Sequence, residues 1–295
     1  MSRNEAKPRM LANLFLPIIS LKRRGSSGWM VIFGLIIVLG LVTMTLVGPC
    51  IAPYNPSESL AGAPIKAPPS LQYPFGTNHL RQDMLSRTLV GGSIMLQVAA
   101  LSVVVCFLIG VPIGLFSSYV GGLFDGIVSM IIDAVYAFPG LVIAIAIAAM
   151  LGPGVINISL SIAVVYIPSY FRIVRSQVLS IKELTYVEAA KAIGAKWYTI
   201  LIRYVFPNVI PSIMVVTTIN FADAILTAAG LTFIGLGVTY DIPDWGWDLT
   251  NGRNYLATGA WWMITFPGIM IVLLALGFTL MGEGLSEMLN PKLQR

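Results

Sequence analysis

Two stretches of this chain, Thr88 to Phe124 and Ala134 to Phe171, run without a single charged side chain. That property removes most of the folds open to 295 residues. A bilayer core about 30 Å thick takes about 20 apolar residues per helix, so each run is long enough to cross a membrane at least once. Composition agrees. With 57% hydrophobic residues, 11% charged residues and a mean hydropathy of +0.84, the chain is too apolar to clothe a soluble domain in polar surface. An all-α, polytopic membrane protein is expected.

The uncharged runs convert into six transmembrane helices. Trp29 to Pro53 supplies the first, and Thr88 to Phe124 holds the second behind a partly polar lead-in. Ala134 to Phe171 is too long for one helix, and its Gly152-Pro153-Gly154 and Asn157 are strong turn punctuation, so it is read as a third and a fourth helix. Tyr204 to Tyr240, interrupted only by Asp223, holds the fifth. Asn254 to Gly282 holds the sixth, beginning near Trp261-Trp262, where interfacial aromatics belong. The expected organisation is a tail over 1–28, a first helix over 29–53, a loop over 54–87, a five-helix core over 88–285 with a polar loop at about 178–203, and a tail over 286–295.

Six crossings put both termini on one side, and positive residues are retained in the cytoplasm. With the N-terminus inside, fourteen Lys and Arg residues lie inside, against Lys66, Arg81, Arg87 and Arg253 outside. Both termini and the 178–203 loop are therefore expected in the cytoplasm of a cell membrane. The basic start precedes a long apolar block and no small-residue cleavage site, which reads as a retained helix and not a removable signal.

The missing motifs bound the chemistry. No Gly-x-x-x-x-Gly-Lys-Ser/Thr phosphate loop occurs, so the chain is not expected to hydrolyse ATP. Neither HExxH, CxxC nor Gly-x-Ser-x-Gly is present to support an intramembrane enzyme. Cys50 and Cys106 are read as two buried, inert thiols, and His79 as a surface residue without metal or catalytic partners. The formal charge of +5 is dispersed by topology and forms no basic face for nucleic acid.

One charged island interrupts the apolar blocks. Glu188-Ala189-Ala190-Lys191-Ala192-Ile193-Gly194 is followed, after nine intervening residues, by Tyr204-Val205-Phe206-Pro207. The two alanines would let another protein approach closely, Gly194 permits a helix end that a Cβ would hinder, and Lys182, Glu183, Glu188, Lys191 and Lys196 keep the segment out of lipid. The spacing resembles the EAA signature of ABC-importer permeases, with Tyr-x-Phe-Pro where Ile-x-Leu-Pro is usual.

Further segments resemble, in order, the second permease subunit of dipeptide and oligopeptide ABC importers, a family that also includes nickel and glutathione permeases. They are Phe75-Gly76-Thr77 through Asp83-Met84-Leu85-Ser86-Arg87, Tyr119-Val120-Gly121-Gly122 with Asp125, Asp133 and Ala137-Phe138-Pro139. Phe233-Ile234-Gly235-Leu236-Gly237-Val238, Pro243-Asp244-Trp245-Gly246, Trp261-Trp262, Pro267-Gly268 and Gly282-Glu283-Gly284-Leu285 continue the pattern. Departures occur at Arg81-Gln82 (usually Gly-Arg), Ala228 (often Glu), and Ser286 and Asn290 (commonly Arg and Asp).

The resemblance implies a type I ABC-importer permease fold and half of a pore for di- or oligopeptides, with nickel chelates, glutathione or oligosaccharides as alternative cargo. It also implies partners: a second homologous permease, two cytoplasmic ATPases carrying the ATP and magnesium, and an extracytoplasmic binding protein. This chain would itself hold no cofactor. Glu188, Ala189, Ala190, Lys191 and Gly194 would couple it to the ATPases. An ion-coupled secondary transporter is the rival class, and it would show an internal repeat with broken helices and an ionisable relay.

Ionisable and polar residues inside lipid usually face the bundle interior or an aqueous path. Thr217, Asn220, Asp223 and Thr227 share one stripe of the fifth helix. Two readings stand for it: the lining of a translocation path, or hydrogen-bonding glue between helices. Asp133, two turns beyond Asp125, is read as a carboxylate at the start of the third helix, near the headgroups.

Overall fold

A computed structural model of the chain describes residues 26–237 and 242–289. The sequence readings on both tails, Val238 and Asn290 lie outside these residues. The described residues form helices and no named strand. They are α1 (Ser26–Ile51), α2 (Met84–Val90), α3 (Gly92–Val120), α4 (Gly122–Tyr136), α5 (Gly140–Leu151), α6 (Val155–Ile181), α7 (Thr185–Ala192), α8 (Trp197–Ile200), α9 (Phe206–Phe233), α10 (Trp245–Tyr255) and α11 (Trp262–Leu289). A π-helical turn, Leu201–Val205, joins α8 to α9.

Among the described residues, five segments are long and apolar enough to cross a membrane: α1, α2 with α3, α6, α8 through α9, and α11. Helices α4 and α5 pass the same test only together, and they meet at 86° across Ala137-Phe138-Pro139, the geometry of a broken span or a re-entrant loop. A single helix was expected from Ala134 to the Gly152 turn. Pro139 prevents it: proline carries no N–H to continue the ladder and restricts the residue before it, so α5 restarts at Gly140. Asp133 consequently lies near the end of α4, not at the start of a span. Its carboxylate accepts from Arg172 of α6 at 2.7 Å.

Close backbone approach organises the bundle. Between α3 and α6, a Cβ on Gly110 would stand 2.8 Å from Tyr170 Cβ, and one on Gly114 would stand 3.0 Å from Val174 Cβ. Between α1 and α11, a Cβ on Gly34 would lie 2.5 Å from the Gly277 carbonyl oxygen. Lipid tails are as apolar as leucine, so helices in a bilayer gain chiefly from such packing at small residues.

Two large apolar cores result among the described residues, beside a smaller cluster of Met84, Ala260, Trp262 and Met263. One joins α1, α3, α5, α6, α9 and α11 around Ala99, Ile162, Ile225 and Leu274, with Trp245 of α10 sealing it. The other gathers Val174 and Val178 of α6, Val187 and Ala190 of α7, and Val205 and Val209 beside and within α9. The bundle thus has an α7 end and, opposite, an α10 end built from α10 and the 52–83 loop.

The thiols differ from expectation. Cys106 is buried, but Cys50 is exposed on the outer face of α1. His79 is not a free surface residue either. It is half-buried and stacked on Tyr255 with ring centroids 5.2 Å apart, and burial together with the Arg87 charge holds its pKa below the ordinary imidazole value.

Candidate docking helix and membrane chamber

Helix α7 is short and two-faced. Val187 and Ala190 turn into the second core, while Glu188, Ala189 and Lys191 are exposed. The two alanines expected to admit a partner therefore divide: only Ala189 is available outside. Ile193, at 82% exposure, adds an apolar knob beside it. The helix ends in a Schellman motif, with Gly194 N–H donating to the Lys191 carbonyl and Ala195 N–H to the Ala190 carbonyl, both at 3.0 Å. Gly194 supplies the left-handed φ of +81° that this ending needs. No atom of the described residues lies within 4 Å of its missing Cβ, so the demand among them is conformational, not steric. Lys182 anchors the neighbourhood by donating to the Ser118 carbonyl near the end of α3 at 3.0 Å.

In the membrane, the polar stripe of α9 meets a matching stripe of α6. Tyr170 Oη donates to Thr217 Oγ1 at 3.1 Å, and Tyr166 Oη pairs with Thr227 Oγ1 at 2.8 Å. Ser169 Oγ donates to Asn220 Oδ1 at 3.5 Å. The threonines are thus engaged as glue between helices. Asn220 and Asp223, together with Thr227, border a 370 Å³ cavity with Tyr136, Phe138, Gly140 and Leu141 at the α4–α5 break. Asn220 and Asp223, with Ser169, border a second, 580 Å³ cavity reaching Gln177 and Ser286 toward the α7 end. Asn220 Nδ2 is buried without a hydrogen-bond partner among the described residues.

Flanking this seam, Arg172 and Arg175 of α6 clamp α4. Arg172 takes Asp133 and lies 3.9 Å over the Tyr136 ring. Arg175 contacts both Asp125 oxygens, at 3.1 and 3.0 Å from Nε, and Asp125 also accepts from Ser117 at 2.6 Å. Sequence reasoning missed Tyr166, Ser169 and Tyr170 as partners of the stripe, although their i, i+3, i+4 spacing puts them on one helical face.

A third polar cluster, also missed, lies at the α10 end. Arg87 Nε donates to Asp248 Oδ1, and its Nη1 to the Pro56 carbonyl and Gln82 Oε1. Asp244 caps α10 by accepting from Trp247 N–H at 3.1 Å. Burial pushes the Asp244 carboxyl up to about 7, and the neighbouring Asp248 charge pushes the same way. Trp245 Nε1 donates to the Thr88 carbonyl at 2.8 Å, its ring filling the space left by Gly91 and Gly92. Among the described residues no group of His, Cys, Asp or Glu has a metal-binding arrangement.

Comparison with known proteins sets these features in context. Residues 110–295 match the family described as binding-protein-dependent transport system inner membrane component. A dipeptide transport system permease protein of Alkalihalophilus pseudofirmus is 37% identical over 268 residues, covering 89% of this chain and 86% of the relative. A di/tripeptide transport system permease protein of Pseudomonas aeruginosa is 36% identical over 266 residues, 88% of each chain. A glutathione transport system permease protein of Pectobacterium atrosepticum is 36% identical over 257 residues, 87% of this chain and 85% of that one.

Proposed function

On the premise that the chain belongs to the family of binding-protein-dependent transport system inner membrane components, we propose that it forms half of the pore of an ATP-driven importer of short peptides. A second permease of the same kind supplies the other half, two ATPases bind the α7 face with their ATP and magnesium, and a binding protein delivers cargo to the α10 end. The peptide assignment follows relatives named for dipeptides and di/tripeptides. The distribution of Lys and Arg supports a cytoplasmic position for both termini and α7.

The observation that carries this reading is the position of α7. Its inner face packs through Val187 and Ala190 into the same core as Val174 and Val178 of α6 and Val209 of α9. Those two helices also carry Ser169, Asn220 and Asp223 at the seam between the cavities. A close-packed interior transmits displacement instead of absorbing it, so a push on Glu188, Ala189, Lys191 and Ile193 reaches the chamber walls. ATPase closure would thereby shift the chamber between outward and inward access, and peptide would pass the Asn220–Asp223 seam.

Reconstitution tests this. The complex in proteoliposomes should accumulate a labelled dipeptide only with ATP and binding protein present together. Accumulation driven by a proton or sodium gradient without ATP would instead place the chain among secondary transporters.

A further inference from the structure

Asp223 is the one acidic residue among those lining the 370 Å³ cavity, and no ion pair engages it among the described residues. A carboxylate at membrane depth is costly unless a cation or an aqueous path meets it. One turn away, Asn220 is 3% exposed. Its Oδ1 is taken by Ser169, but its Nδ2 donor has no partner among the described residues, and leaving a buried donor unsatisfied is unfavourable. Opposite them, α5 begins at the break without a side-chain cap, and the first N–H groups of a helix have no intrahelical acceptor. Gly140 and Leu141, which open α5, line this cavity.

The chamber therefore presents an unpaired acceptor of negative charge and, beside it, unpaired donors with a positive helix end. A simple cation would satisfy only the first, an anion only the second, and a neutral sugar would leave the carboxylate uncompensated. We propose that this chamber holds a zwitterionic peptide by its two ends, the α-ammonium on Asp223 and the carboxylate on Asn220 Nδ2 and the N–H groups opening α5. The volume lies at the lower end of the roughly 300–1,000 Å³ spanned by small-molecule sites, which suits a very short peptide. The proposal rests on the reading of this seam as part of the translocation path and adds the chemistry of what pauses there.

The test is a cycle of import rates measured with one binding protein throughout, so that its own selectivity cancels. Dialanine, N-acetyl-dialanine and dialanine amide are each supplied at saturating concentration to the reconstituted complex, unaltered or carrying Asp223→Asn. Losing a charge-assisted contact should slow dialanine and dialanine amide about tenfold and slow the acetylated peptide no further, because its ammonium is already gone. Asp223→Glu should restore part of the rate, and the yield of assembled complex shows whether the variant folds. Equal slowing of all three peptides would overturn the zwitterion site while leaving Asp223 on the path. Unchanged import of all three would overturn both readings.

Discussion

Arg87 on α2 and Asp248 on α10 stand 161 residues apart in sequence, yet their side chains meet at 2.8 Å with 1% and 4% exposure. The guanidinium also holds the Pro56 carbonyl and the Gln82 side chain, so one cation fastens the 52–83 loop, α2 and α10 together. Removing one member of a buried pair leaves the other charge uncompensated, at a cost of about 3–5 kcal/mol. Arg87→Met should lower the melting midpoint of the purified complex well below that of the double variant Arg87→Met, Asp248→Leu, which removes both charges. A double variant less stable than the single one would show that the pair contributes through attraction and not through mutual neutralisation.

The Asp244 carboxyl gives this end of the molecule a pH dependence. Its folded pKa of about 7 lies above the ordinary carboxylate range because it is buried, so the folded chain holds more protons than the unfolded one between about pH 4 and 7. Stability from this group is greatest at acid pH and declines toward pH 7, by at most about 1.4 kcal/mol per unit. Asp244→Asn keeps an acceptor for Trp247 N–H and carries no charge, and should flatten that slope. Melting midpoints at pH 5 and pH 8 check it: an equal drop in both proteins would assign the dependence elsewhere.

Helix packing predicts a contrast between two glycines. Gly110→Val drives a side chain into Tyr170 and the Ile167 carbonyl, and overpacking of this kind costs about 1–3 kcal/mol. Gly126, on α4, has nothing within 4 Å of its missing Cβ, so Gly126→Ala should be neutral or stabilise by up to about 1 kcal/mol. Thermal melting of both variants decides it, and equal loss at the two positions would mean that α3 and α6 do not pack at Gly110.

Why some of this was legible and some was not is a matter of range. Uncharged length marks a span by itself, so α1, α3, α9 and α11 could be found from local composition. The Schellman ending of α7 was readable because Gly194 announces it. The break in the third crossing was hidden by the continuity of the apolar run across Ala137-Phe138-Pro139, where Pro139 was the available signal. The Arg87–Asp248 pair and the Tyr170–Thr217 contact join residues that no local period connects, and only the packed bundle brings them together.

Orientation makes a separate prediction. Ser57 is exposed and Leu71 protrudes fully on the loop at the α10 end, while Lys191 is exposed at the α7 end. A single cysteine at position 57 or 71 should react with a membrane-impermeant maleimide in intact cells, whereas one at 191 should react only after the membrane is opened. Cys50 is itself exposed, so the background is first replaced by Cys50→Ser. Labelling at 191 from outside would invert the topology and remove the docking assignment with it.

The proposed docking face on α7 predicts two losses with different causes. Glu188 is exposed and pairs with no cation among the described residues, so Glu188→Arg should leave the bundle intact and act only on a partner, by replacing an acceptor with a long cation. Gly194→Asp has open space for its side chain but must hold a φ of +81°, which costs a non-glycine residue about 1 kcal/mol and loosens the end of α7. Both variants should insert normally and co-purify with less ATPase. Gly194→Asn should recover part of the loss, because asparagine tolerates the left-handed region better than most residues and adds no charge. Co-purification and dipeptide uptake measured together separate the outcomes: full ATPase retention with normal uptake in Glu188→Arg and Gly194→Asp would show that α7 does not carry the coupling.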